Sequence, residues 1–238
     1  MIKKTDFKVA LAACIAVAGL LSAPPAKAQG PVGGAAISGA PGPGVPNFNG
    51  KWINATPMIG LKTIQGAPPP LNAKGKAEYA KHKANMKSDP NNLCQMQGEP
   101  RLLYTAYPFL ILQYDQHVDF VHEVNHTFRI VNFGAAIDPD ADPIWLGHAT
   151  ARWDGSTLVI DSAVFNDRTW LDYTGLPHGE KLKTEERYSL SADGQTINGV
   201  VQIDDPQFYS RPWSTAFTLK KQPGFSLRQF ACIADHRM

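Results

Sequence analysis

The chain has 238 residues, 43% of them hydrophobic, and a formal net charge of +2. Lys3, Lys4, Lys8 and Lys27, set against Asp6, carry a net +3 within the first 28 residues, so the rest of the chain stands near −1. With no basic stripe beyond that point, nucleic acid is excluded as an expected partner.

Lys3, Lys4 and Lys8 form a positive start, Val9 to Ala23 an apolar stretch, and Ala26-Lys27-Ala28 a small-residue cleavage site. Residues 1–28 therefore read as an export signal cleaved after Ala28, giving a periplasmic or secreted protein. The apolar stretch is too short, and too soon followed by Pro24-Pro25, to be a comfortable membrane span, so no membrane attachment is expected after cleavage. Leu11-Ala12-Ala13-Cys14 resembles a lipobox, but the apolar stretch runs on past Cys14, which disfavours lipidation. Residues 29–48 are mostly Gly, Pro and Ala and read as a flexible tether. Residues 49–238 are expected to form one domain, starting near Trp52.

Asn72 is a suitable N-cap for a helix over residues 72–86, ending before Asp89-Pro90. That helix lacks a clear apolar face and reads as peripheral, its lysines a solvated face. From Arg101 on, short strand-like runs take over: Phe109–Tyr114, Val118–Val124, Thr127–Phe133, Trp145–Trp153 and Thr157–Val164. Leu182–Ser191, Thr196–Ile203, Phe217–Lys221 and Leu227–Ile233 continue the series. Asp154-Gly155 and Asp193-Gly194 are hairpin turn signals, and Pro223-Gly224 is a third turn. The fold class expected is all-β: an antiparallel meander of about eight to nine strands, closed into a lipocalin-like barrel, with one peripheral N-terminal helix. Closure removes exposed edges, and a barrel of this size can hold one small ligand. The alternative is a two-sheet β-sandwich. There is no internal repeat and no Rossmann or P-loop glycine pattern. After loss of Cys14 two cysteines remain, and in an exported protein Cys94 and Cys232 are expected to form a disulfide tying the segment before the sheet to the last strand.

The stretch from Ile144 to Glu186 is dense in ionisable groups. Period two places Leu146, His148, Thr150 and Arg152 on one side of a strand, with Trp145, Gly147, Ala149, Ala151 and Trp153 on the other. The second set looks like a packing face, so the first points into a polar cavity or into water. His148 and His178 are the candidate proton-handling groups, with Asp167 or Glu180 orienting them. Arg152 and Arg168 suit an anionic or carbonyl oxygen. Trp170, Glu186 and Trp145 complete the expected ligand set.

His122-Glu123-Val124-Asn125-His126 spells the H-E-x-x-H of zinc proteases. That chemistry needs a helix, whereas the flanks here alternate as strands, which turns Glu123 away from both histidines. No third ligand is set by the spacing, so neither metal nor cofactor is assigned.

Longer landmarks follow: Arg101-Leu-Leu with Tyr107-Pro-Phe109; Trp145-Leu-Gly-His148; Arg152-Trp-Asp-Gly-Ser-Thr-Leu-Val-Ile-Asp161; Phe165-Asn-Asp-Arg-Thr-Trp-Leu-Asp172; His178-Gly-Glu180; Glu186-Arg187; and Asp205-Pro206 through Trp213. From about Pro69 to Cys232 the chain resembles a family of secreted bacterial proteins of uncharacterised activity. The resemblance implies no particular reaction. It matches both Cys94 and Cys232, adds Glu123 and His126 to the ligand-binding candidates, and lacks a histidine at the place of His122.

The function these readings imply is a periplasmic small-molecule-binding barrel acting on a partly apolar ligand. It would work either as a cofactor-independent acid–base enzyme of lyase or isomerase type or as a non-catalytic carrier. An envelope interaction module is a third reading, and a metal-dependent hydrolase using His122 and His126 a minor fourth. The small molecule is the expected partner, and no motif encodes its identity or an oligomeric state.

Overall fold

The structure is a computed structural model that describes residues 44–228, Phe230 and Cys232. The export signal and most of the tether lie outside the described residues. The described residues form nine strands: β1 Gly50–Asn54, β2 Phe109–Gln113, β3 His117–His122, β4 Phe128–Phe133, β5 His148–Asp154, β6 Thr157–Ala163, β7 Lys183–Leu190, β8 Thr196–Asp204 and β9 Trp213–Lys221. They close into a barrel in chain order, β1 pairing with both β2 and β9. A helix, α1 (Ala73–Ala84), stands outside the sheet.

The all-β barrel with one helix is as expected, and three of the differences bear on the site. First, the barrel is mixed: β4 and β5 run parallel, through Asn132↔Thr150 and Phe133↔Ala151. A parallel pair cannot be joined by a hairpin, and residues 134–147 supply the crossover it requires. Second, the described residues of the expected last strand, Leu227, Arg228, Phe230 and Cys232, are not strand. Gly50–Asn54 takes the closing place instead, with Trp52 opposite Lys221. Third, β5 begins at His148 and excludes Trp145. Gly147 there has φ +66, and a Cβ on it would lie 2.7 Å from the Phe165 ring, so the backbone turns before the strand starts.

Cys94 and Cys232 are bonded, their Cα atoms 5.5 Å apart. The bond therefore fastens the segment before β2 to the extension past β9, rather than to a final strand.

Inward-facing positions fill the barrel. Trp52, Phe109, Ile111, Phe120, Leu158, Tyr188, Phe217 and Leu219 are all buried in one apolar cluster. A barrel of this strand number is just wide enough for side chains to occupy it, and here they do. These side chains occupy the inward positions where a ligand was expected.

Helix α1 is held more firmly than a solvated helix needs. Asn72 caps it, its Oδ1 accepting from the Gly75 amide at 2.8 Å. The Asn72 amide donates to the Phe208 carbonyl at 2.9 Å. Gly75 lets the backbones meet, since a Cβ there would sit 2.1 Å from the Phe208 carbonyl oxygen. These contacts lay α1 across the β8–β9 loop.

Candidate functional site

Three segments meet beside that helix: α1, the loop from β6 to β7, and the loop from β8 to β9. They enclose a cleft of about 350 Å3 whose lining includes Asp167, Arg168, Trp170, His178 and Glu180. Five of the residues singled out by sequence thus converge. The cleft lies on the outside of the barrel.

His178 is at its floor, 4% exposed. Its Nδ1 lies 3.4 Å from the Gly179 carbonyl oxygen, which can only accept, so the proton belongs on Nδ1. Nε2 then accepts from the Thr169 hydroxyl at 2.5 Å. Burial pushes the imidazole below its ordinary pKa, against the upward pull of the Gly179 carbonyl, Asp205 and Asp167. A ring held neutral, with its one acceptor nitrogen turned to Thr169, is the result. Its segment is pinned by two buried bonds, Gly179 amide to Asp205 Oδ2 at 2.8 Å and Tyr209 hydroxyl to the Pro177 carbonyl at 2.9 Å. Asp167, Arg168 and Glu180 are exposed at the mouth.

One wall was not anticipated. Lys74, Glu78 and His82 also line the cleft, and their spacing of four puts them on one face of α1. His82 stacks on Trp170, ring centroids 4.6 Å apart. Its Nδ1 lies 2.8 Å from the Gly175 carbonyl and its Nε2 3.2 Å from Glu78 Oε1. The Glu78 carboxyl is held below its usual range by its hydrogen bond with Lys81, with His82 adding to the effect. The available sequence signal was the 74/78/82 spacing together with Gly75, a residue that weakens a helix unless something must come close.

Other expected members lie elsewhere. Arg152 points out from β5 into water, and His148 shares that outer face half-buried, because Ala151 holds the inward position. His148 Nε2 lies 2.9 Å from the Asp142 carbonyl and so steadies the crossover. Arg152 pairs on the outer wall with Asp161 and, at 3.0 Å, with Glu185. Trp145 is half-buried in the turn before β5 and does not line the cleft. Glu123 accepts the Arg228 amide at 2.8 Å, and with His126 it lines a separate hollow of about 220 Å3.

Glu186 points into the core, where a second group of charges went unread. Arg129 donates to both Glu186 oxygens, at 3.1 and 2.8 Å, and to Ser162 Oγ at 2.7 Å. The Tyr188 hydroxyl donates to Glu186 at 2.5 Å, and Glu99 lies 3.6 Å from Arg129. Burial pushes the Glu99 carboxyl up to about 8, only partly offset by Arg129. Burial, with Arg129 nearby, pushes His122 down to about 3. Glu99 Oε2 and His122 Nε2 have no hydrogen-bond partner among the described residues. The alternation of β4 does not by itself mark Arg129 as inward. Phe128 and Ile130, the apolar pair, are 65% and 56% exposed, and Arg129 takes the inside.

The H-E-x-x-H segment forms no α-helix. His122 ends β3 facing inward, and Val124–His126 is a single tight turn. Among the described residues no three His, Cys, Asp or Glu side chains are grouped as metal ligands.

No protein-family model matches this chain, and no curated protein does. The site geometry therefore carries the functional argument.

Proposed function

We propose that the chain is an exported protein that binds a small, partly apolar molecule in the outer cleft and handles a proton on it through His178. The observation that carries this is a buried, neutral imidazole in the same cleft as three carboxylates (Glu78, Asp167 and Glu180) and a guanidinium. Proton transfer by a positioned side chain is worth about 10²- to 10⁴-fold in rate. Arg168 at the mouth suits an anionic or carbonyl oxygen, and the Trp170–His82 stack offers a flat wall. His148 and Arg152 take no part, because they lie on the outer face of β5 and do not line the cleft. The export signal expected over residues 1–28 supports a site of action outside the cytoplasm.

A non-catalytic carrier is the second reading. It is favoured by the engagement of both His178 nitrogens, with Thr169 and with Gly179, which lets the ring shape the cleft without exchanging a proton. Against an interaction module stands the closed barrel, which offers little free sheet edge for strand addition.

Native mass spectrometry of the exported protein, followed by binding and turnover assays on the co-purifying molecule, tests both. His178→Gln should lower turnover at least 100-fold while thermal unfolding stays cooperative. Saturable binding without product selects the carrier, and unchanged binding and turnover in the variant would remove His178 from the site.

A further inference from the structure

A second recess of about 720 Å3 adjoins the His178 cleft. Glu180 lines both, and Pro206 of the recess is followed directly by Gln207 and Phe208 of the cleft. The two spaces therefore share a wall. Ile137, Pro139, Ala141 and Pro143 of the crossover, with Ala163 and Val164 at the end of β6, give the recess a mainly apolar wall, and Lys181, Lys183 and Asp204 add charge to the rest of its lining. Proline rings fix the backbone, so this wall resists collapse onto the barrel. The crossover is also fastened at its far end. The Ile144 amide donates to the Val164 carbonyl at 3.2 Å, and the Asn166 amide returns to the Ile144 carbonyl at 3.0 Å. Val164 itself has φ +59, a conformation β-branched residues rarely adopt, and it turns the chain away from β6 where the recess begins.

An apolar space of this size lies within the range of small-molecule pockets, roughly 300–1,000 Å3. The cleft beside it is polar. Arg168 at its mouth carries no ion pair among the described residues, so its fork is available to a carboxylate or carbonyl oxygen. We propose that the recess takes the apolar body of the ligand whose polar head lies in the His178 cleft, which makes that ligand an elongated amphiphile with a carboxylate or carbonyl head. This rests on the cleft being the binding site, and it adds the substrate class.

The test is calorimetric titration of the full, disulfide-bonded chain with straight-chain alkanoates from acetate to dodecanoate, each below its micellar concentration. Affinity should rise about fourfold per methylene (~0.8 kcal/mol) and level off once the recess is full. Ala141→Trp and Ala163→Trp should each abolish that rise while thermal unfolding stays cooperative. Binding that is independent of chain length overturns the recess and leaves the cleft reading standing. A rise that survives both tryptophans but disappears in Arg168→Gln places the apolar body elsewhere and overturns it as well. Failure of every alkanoate to bind overturns the amphiphile class, while the cleft is judged separately by the His178→Gln assay.

Discussion

Two buried residues at the same end of the barrel give stability opposite dependences on pH. His122 has a folded pKa near 3, far below the ordinary imidazole. Its contribution is present above the unfolded value of about 6.5 and is lost as the pH falls towards 3, because the unfolded chain binds the proton and the folded one resists it. Glu99, raised to about 8, behaves in the reverse sense. Its contribution is present below the unfolded value of about 4.3 and is lost as the pH rises through 8. Urea midpoints measured from pH 4 to 9 should therefore fall at both ends. His122→Phe, which keeps a ring to stack on Phe109, should flatten the acid limb, and Glu99→Gln the alkaline limb. Midpoints that keep the wild-type slopes in both variants would show that neither group titrates as its surroundings imply. At this scale the sequence named His178, Asp167, Arg168, Trp170 and Glu180 because imidazoles, carboxylates and guanidiniums cluster in its text. It could not name Arg129 or Glu99, whose roles depend on partners 57 and 30 residues away in the chain.

Among the elements, α1 inverts an ordinary expectation. Gly→Ala inside a helix usually stabilises by about 1 kcal/mol. At Gly75 the new methyl would meet the Phe208 carbonyl oxygen at 2.1 Å, backbone against backbone, so Gly75→Ala should destabilise instead. We expect a lower unfolding temperature and loss of ligand affinity, since α1 brings Lys74, Glu78 and His82 to the cleft. A variant more stable than the parent would contradict the close packing of α1 on the loop. The strands were largely legible, β2 to β4 and β6 to β8 lying within one or two residues of their expected bounds, because period-two alternation is a local property. The two errors at the ends have a common origin. Gly50–Asn54 has only the adjacent pair Trp52-Ile53 as apolar residues and so shows no alternation, and Leu227–Ile233 alternates like a strand although the edge it would need is taken by the pairing of β1 with β9.

For the molecule as a whole, the covalent tie matters more than its position suggests. The Cys94–Cys232 bond spans 138 residues and so encloses β2 to β9. The chain-entropy account gives a loop of that length up to about 5 kcal/mol, through restriction of the unfolded state. Cys232→Ser, made together with Cys94→Ser, should lower the urea midpoint with the folded circular dichroism spectrum retained. An unchanged midpoint would mean that the unfolded chain is already compact without the bond.

Sequence alone determined the β-rich character, the turn at Asp193-Gly194, the capped start of α1 and the cysteine pair, because each depends on neighbours within a few residues or on composition. Alternation established that His148 and Arg152 share a face with each other. Only the tertiary structure decided that this face is wet, that Arg129 rather than Phe128 is inside, and that the polar site lies outside a filled barrel. The reason is geometric: a strand's period says which side chains travel together, but in from out is set by the closure of β1 on β9, a pairing across almost the whole described chain.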